Sequence, residues 1–404
     1  METEIHEVDV LIVGGGPAGL SVASALPDDV TTIIVHQDRE IGLPVRTSGG
    51  SWLDEMERLG IPDDMYLPLR KSEAFSDDVH VTINFGPYVP VILHTAKLYK
   101  WLATLSDNKA RALWLGCKFT GTERAADNSW ISTIRDPDRK NRLIRSRYIV
   151  DASGWHSVVL TSLGLREKPE RLGIGIEYEF PLGKNPPDRG ILFMGDQVPS
   201  GYGWGFPTLE GTFRLGVGVI SPDTDMSPRR VLDHIREQNI EKRFNLDLSG
   251  AYTTHGGILP SVRYDPKLVF GSIIRVGDSA NFATPTVGEG IRVCIEFGRI
   301  LGVSLGKTVK TGRRWPLWRY EWKCRQRLGR NYFFGYLINQ RSAQFTPAQW
   351  NASVERLGRI NPDAICALMR SRFPLRKMTR MTYDTIAARL KTRLRRLKAN
   401  LLNH

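Results

Sequence analysis

Cysteine is scarce. Four occur in 404 residues, Cys117, Cys294, Cys324 and Cys366, and no two form a C-x-x-C pair. A disulfide framework or a clustered Cys/His zinc site is therefore not expected, no metal is assigned, and a reducing compartment fits. No apolar run approaches the roughly 18 residues that span a bilayer. The opening METEIHEVDV is acidic and leads straight into an apolar strand, which predicts no secretory leader and a cytoplasmic location. Acidic residues are missing from one region above all. Residues 301–404 hold 23 Lys and Arg against 4 Asp and Glu, whereas residues 1–300 hold 33 against 39. The net charge of +13 thus belongs to the last quarter of the chain. No nucleic-acid reading motif accompanies it, so no nucleic-acid partner is expected.

What is present is organised around Val10 to Leu20, VLIVGGGPAGL. Four apolar residues read as a buried strand. Gly14, Gly16 and Gly19 follow in the spacing G-x-G-x-x-G, and an Ala-rich run from Pro17 reads as a helix. Gly14 permits the tight turn, Gly16 lets backbone approach a pyrophosphate, and Gly19 lets the helix lie close on the sheet. The phosphates would sit at the helix N-terminus, where unpaired N–H groups favour negative charge. A second strand, Thr31 to Val35, follows, and the context of strand, glycine loop, helix and strand predicts dinucleotide binding. An acid usually closes that second strand and accepts from a ribose hydroxyl. His36 and Gln37 stand there instead, and either can hydrogen-bond a hydroxyl.

Further along, EIGLPVRTSGGS (Glu40 to Ser51) reads as a loop able to fold back over a cofactor, with Arg46 paired to a phosphate. Residues 72–93 alternate as strands, and His94 to Leu105 reads as a helix. Residues 112–150 read as a three-stranded meander ending in DASGWHS. In PSGYGWGFP, Tyr202, Trp204 and Phe206 alternate with glycines, so three rings share one face and the other face carries no side chains. That pattern predicts the aromatic wall of an apolar pocket. Ser227 caps a helix beginning at Pro228. A late strand, Ile273 to Val276, leads into GDSANFATPTVGEGI and a helix from Ile291 to Leu305. Asp278, with no cationic neighbour in sequence, suits a sugar or ribityl hydroxyl.

GGGPAG, DASGWHS and GDSANFATPTVGEGI resemble, in order and spacing, the three FAD motifs of para-hydroxybenzoate-hydroxylase-like flavoproteins. Within these, EIGLPVRTSGG and GYGWGFP are most similar to the geranylgeranyl reductase family, with its Y-x-W-x-F-P signature. The resemblance implies an α/β fold: a Rossmann-like FAD-binding domain with an inserted mixed or antiparallel β-sheet substrate domain and a helical C-terminal region. The implied FAD-binding segments are 1–72, 94–165 and 271–310. The substrate-domain segments are 73–93 and 166–270, and 311–404 is the basic helical region. The resemblance also implies roles. Gly14, Gly16, Ala18 and Gly19 would hold the FAD pyrophosphate, with His36 and Gln37 at the ribose and Arg46 reaching the FAD. Phe119 would offer backbone to the adenine and Asp278 would bind the ribityl chain. Pro285, Gly288, Gly290 and Ile291 would line the isoalloxazine. Tyr202, Trp204 and Phe206 would form the catalytic face toward substrate. Departures from the family pattern are His36 for the ribose-binding acid, His94 for an Arg, Thr47-Ser48 for a Cys, and Thr284 for an Asp.

The implied activity is reduction of C=C bonds in an isoprenoid-like apolar small molecule, with electrons from NAD(P)H, another external donor or a reductase partner. A monooxygenase or halogenase on the same scaffold is the alternative, and a cyclase that uses reduced FAD without net redox is a third possibility. Ile386, Leu390, Leu394, Leu397 and Leu401 form an apolar stripe ringed by Arg and Lys. The stripe predicts either packing on the protein's own core or peripheral contact with an anionic membrane.

Overall fold

The computed structural model describes residues 5–373. Its first large sheet has eight strands. Ile5–Val13 lies at its centre, parallel to Asn141–Asp151 on one side and Thr32–Val35 on the other. Ile273–Arg275 extends one side in parallel and Arg111–Trp114 the other. The runs VLIV and TIIV are buried throughout, as strands covered on both faces require. The Pro17–Ala25 helix packs beside the long Ile291–Thr311 helix. Gly298 and Gly302 make that closeness possible, because a β-carbon at either would collide with the Ala18 or Val22 carbonyl.

The expected meander over 112–150 divides. Arg111–Trp114 leaves it to join the parallel sheet, because the chain turns at Gly116 with φ +65°. The meander itself consists of Lys118–Arg124, Trp130–Arg135 and Asn141–Asp151.

The second large sheet has seven strands, in the order Thr253–Pro260, Leu172–Pro181, Thr212–Ser221, Tyr202–Pro207, Arg189–Phe193, Lys71–Phe75 and His80–Thr82. One face buries Tyr178, Phe180, Phe193 and Phe213 against the Pro228–Glu237 helix. That helix starts as its sequence predicts, the Ser227 hydroxyl accepting the Arg230 N–H at 3.3 Å. The opposite face looks into the site. A small third sheet joins Gly50–Trp52, Pro90–Leu93 and Tyr66–Pro68. Among the described residues, four helices of eight or more residues follow the long one: Trp315–Cys324, Arg330–Ser342, Pro347–Leu357 and Pro362–Met369. The stripe at 386–401 lies outside the described residues.

Candidate active site

Two helix N-termini open into one cavity of about 1110 Å³. That exceeds the roughly 300–1,000 Å³ of an ordinary small-molecule pocket and leaves room for a dinucleotide beside a substrate. At the first N-terminus, Gly14 turns the chain with φ +118°, and a β-carbon there would collide with the Ala152 carbonyl. Gly16 caps the Pro17–Ala25 helix without a side-chain hydrogen bond, and no atom lies within 4 Å of where its β-carbon would be. Gly14, Gly16 and Ala18 line the cavity. Gly19 does not line it. A β-carbon at Gly19 would strike the Gly14 carbonyl, so its part is to seat the helix beneath the loop.

At the second N-terminus, Gly290 caps the Ile291–Thr311 helix, again with no side-chain hydrogen bond. Pro285, Gly288, Gly290 and Ile291 all line the cavity. Asp278 lies beside them, and its buried Oδ1 has no hydrogen-bond partner among the described residues. Burial pushes this carboxyl up to about 6. A buried polar atom left unpaired at the wall of a cavity calls for a ligand donor, and a ribityl hydroxyl is such a donor. With the open backbone at Gly16 and the two uncapped N-termini, the site fits FAD.

Around the first loop the side chains depart from the expected pattern. His36 Nδ1 accepts the Gly15 N–H at 3.2 Å, so its ring braces the loop. Its Nε2 stands 3.4 Å from Asp38. Burial lowers the imidazole's pKa, while Asp38 opposes this and Arg46 reinforces it. Arg46 pairs with Asp38 through two hydrogen bonds, at 2.6 and 3.0 Å. In this structure its guanidinium is engaged by a carboxylate, where the sequence suggested a phosphate. Asp38 is an acid two residues beyond the position at which the dinucleotide pattern looks for one, and the sequence reading passed over it. Gln37, Arg46 and Phe119 line the cavity with His36. The loop packs against the seven-stranded sheet: the Arg46 carbonyl presses so closely on Gly257 that a β-carbon there could not fit.

Across the cavity, Tyr202 and Trp204 line the wall and Phe206 does not. All three share one sheet face, but strand register separates them. Tyr202 is level with Gly218 and Gly175. Trp204 is level with Gly216 and Glu177, while Phe206 is level with Arg214 and packs over Gly190, farther along the strand. The Trp204 indole lies flat on a glycine floor, and a β-carbon at Gly175 or Gly218 would stand 3.4 Å from the ring. The glycines between the aromatics do not leave their face empty, as the sequence suggested. Phe193 occupies the space at Gly203, and Ile191 and Phe213 that at Gly205. These glycines admit core rings from neighbouring strands.

The sequence reading also missed the groups beneath Trp204. Its indole N–H donates to Glu177 Oε2 at 2.9 Å, and Glu177 lines the cavity though almost wholly buried. Glu177 Oε1 has no hydrogen-bond partner among the described residues, and Arg214 Nε stands 3.8 Å away. Burial pushes the Glu177 carboxyl up, against the opposing charge of Arg214. Its neighbour Glu179 behaves differently. Burial works against its charge, but His255 at 3.0 Å, Arg214 at 2.8 Å and Thr212 at 2.6 Å hold it down to about 2. Burial thus pushes one carboxyl of the pair up, while hydrogen bonds and ion pairs hold the other down. The signal was in the alternation of IGIEYEF, which puts both glutamates on the face opposite Tyr178 and Phe180. Tyr99 and Cys294 also line the cavity, and burial raises the pKa of both. At the other end, Tyr202 donates to the Val287 carbonyl at 2.6 Å, tying the seven-stranded sheet to the Pro285–Ile291 loop.

Comparisons with known proteins agree with this geometry. The family model described as FAD binding domain matches residues 7–332. The digeranylgeranylglycerophospholipid reductase 1 of Methanothermobacter thermautotrophicus is 27% identical over 342 residues, covering 80% of this chain and 84% of that one. The digeranylgeranylglycerophospholipid reductase 3 of Methanosphaera stadtmanae is 24% identical over 322 residues, covering 76% and 79%. Among solved structures, a geranylgeranyl bacteriochlorophyll reductase-like protein from Thermoplasma acidophilum superimposes with a TM-score of 0.79 at 20% identity, covering 92% of this chain and 98% of that one. With a cavity that suits the cofactor and a family model spanning most of its length, this chain belongs to the FAD binding domain family and is an FAD-dependent oxidoreductase.

Proposed function

We propose that the protein reduces C=C bonds of an isoprenoid-like substrate, as the names of its archaeal relatives suggest. The observation that carries the reading is the Trp204 indole lying flat on a glycine floor, in the same cavity as Asp278 and the two open helix N-termini. Gly14, Gly16 and Ala18 would hold the pyrophosphate, Asp278 the ribityl chain, and Pro285, Gly288, Gly290 and Ile291 the ring system. Bound there, FAD supplies a two-electron hydride donor. Tyr202 and Trp204 would hold an apolar chain and exclude water. Saturating a double bond needs a hydride at one carbon and a proton at the other, and Glu177 can hold that proton at Oε1. Sheet membership supports most of the expected division: 71–82 joins 172–260 in the seven-stranded sheet, while 5–35, 111–151 and 269–275 share the eight-stranded one. The small third sheet crosses it, pairing 50–52 and 66–68 with 90–93. Electrons would come from NAD(P)H or a reductase partner, and peripheral membrane contact would bring a lipid-like substrate within reach.

The test is anaerobic. The flavoprotein is reduced with dithionite and given a glycerophospholipid carrying geranylgeranyl chains, and the product is weighed by mass spectrometry. Flavin reoxidation with two hydrogens gained per double bond is expected. A product formed only with oxygen, heavier by one oxygen atom, would replace this reading with hydroxylation. An altered product of unchanged mass would point to a cyclase.

A further inference from the structure

The Trp315–Cys324 helix is apolar on two opposite faces. Leu317, Tyr320 and Cys324 are fully buried at the spacing of a helical stripe, against the body of the protein. Trp315, Trp318 and Trp322 form a second stripe on the other side and are 49, 64 and 58% exposed. Clustered exposed aromatics of this kind mark an interaction surface. The next helix, Arg330–Ser342, continues the pattern. Phe333 and Leu337, four residues apart, share one face of that helix, and both are exposed. The C-terminal end of that helix walls the cavity through Asn339 and Ser342.

The charges these helices carry are nearly all of one sign. Arg313, Arg314, Arg319, Lys323, Arg325 and Arg330 surround the stripe in sequence, and none has an ion-pair partner among the described residues. Glu321 is the single acid between residues 301 and 342. Its carboxylate turns inward and accepts the backbone N–H groups of Leu268, at 2.7 Å, and Val269, at 3.0 Å.

We propose that this tryptophan face docks the protein on an anionic lipid surface. The indole is amphipathic and favours the boundary between headgroups and acyl chains. Basic side chains beside it attract anionic headgroups. A second copy of this chain would bring its own cationic fringe against the first, and facing like charges oppose that association. Docking rests on the proposed function only for its purpose, which is delivery of a lipid-like substrate to the cavity; its test needs no turnover.

The test uses the full-length, FAD-loaded protein. Vesicles of phosphatidylcholine are compared with vesicles that also contain phosphatidylglycerol, each made with ordinary and with brominated acyl chains. Residues 374–404 contain no tryptophan, so quenching by brominated chains reports the helix rather than the tail. The expected result is binding to anionic vesicles that weakens with salt and quenches tryptophan emission. Trp318→Ser with Trp322→Ser should lose most of the quenching and bind on the order of tenfold more weakly, with two large apolar surfaces no longer inserted. Flavin content and melting temperature should not change, because both side chains are exposed. Vesicle binding without quenching would overturn the proposal in favour of the tail. Absence of vesicle binding at low salt would also overturn it, and if a dimer seen by sedimentation were dispersed by the same variant, the face would be a protein interface. A substrate that fails to turn over would count against the proposed function and leave these outcomes unaffected.

Discussion

Trp204 and Glu177 have separable duties that two substitutions can distinguish. Trp204→Ala removes the ring that covers the glycine floor but touches no cofactor loop. Turnover should fall by on the order of a hundredfold, the cost of a misplaced substrate, while the flavin band keeps its intensity. Equal loss of flavin would make the ring structural. Glu177→Gln keeps an acceptor for the indole N–H but removes the proton. With the Glu177 carboxyl pushed up by burial, the proton is present at low pH and lost as pH rises through that raised pKa. kcat should therefore carry a falling limb toward high pH that disappears in the glutamine variant, with kcat reduced by about 10²–10⁴ and KM little changed. Asp278 supplies a different pH dependence. Its folded pKa of about 6 lies above the ordinary 3.8, so ionising it costs the flavin-free protein stability as pH rises from about 4 through about 6. A hydroxyl donated to the carboxylate favours the ionised form, so FAD should bind more tightly as pH rises over that range. Titrations of Asp278→Asn should be flat, and an identical slope in that variant would remove Asp278 from the binding site.

At the scale of elements, glycines of similar appearance do opposite work. Gly16 has ordinary backbone angles and open space before it, so Gly16→Ala should leave the fold of the flavin-free protein intact and lower FAD retention. At Gly203 a β-carbon would enter the Phe193 ring, so Gly203→Ala should destabilise the sheet by roughly 1–3 kcal/mol of overpacking. Thermal melts and flavin content together check both expectations. This contrast also shows how far local pattern reaches. The G-x-G-x-x-G spacing, the Ser227 cap and the alternation at 202–206 are local properties, and each was legible. Whether Gly203 faces solvent, ligand or a ring depends on the partner strand, and no local pattern names that partner. Phe206 shows the same limit, for alternation assigns a face but not a distance along it. The break at Gly116 was missed because a run of strand-forming residues hides a change of partner strand within one sheet.

Across the whole molecule, three motifs separated by more than a hundred residues each converge on one cavity, and their order alone made the FAD-binding fold readable. The pairing of Arg46 with Asp38 was harder to foresee, since it depends on a loop folding back over the sheet. Burial was hidden as well: Glu177 reads in sequence as an ordinary strand-face acid, and only the covering indole makes it unusual. The glycine floor has a consequence for how this protein can change. Gly173, Gly175, Gly218 and Gly257 line the cavity with the smallest residue available, so substitution there can only take volume away. Replacing any of these glycines can narrow the range of acceptable substrates and never widen it. Any variant selected for a bulkier substrate must find its space at lining residues with atoms to lose, such as Trp204, Asn339, Ser342 and Trp350.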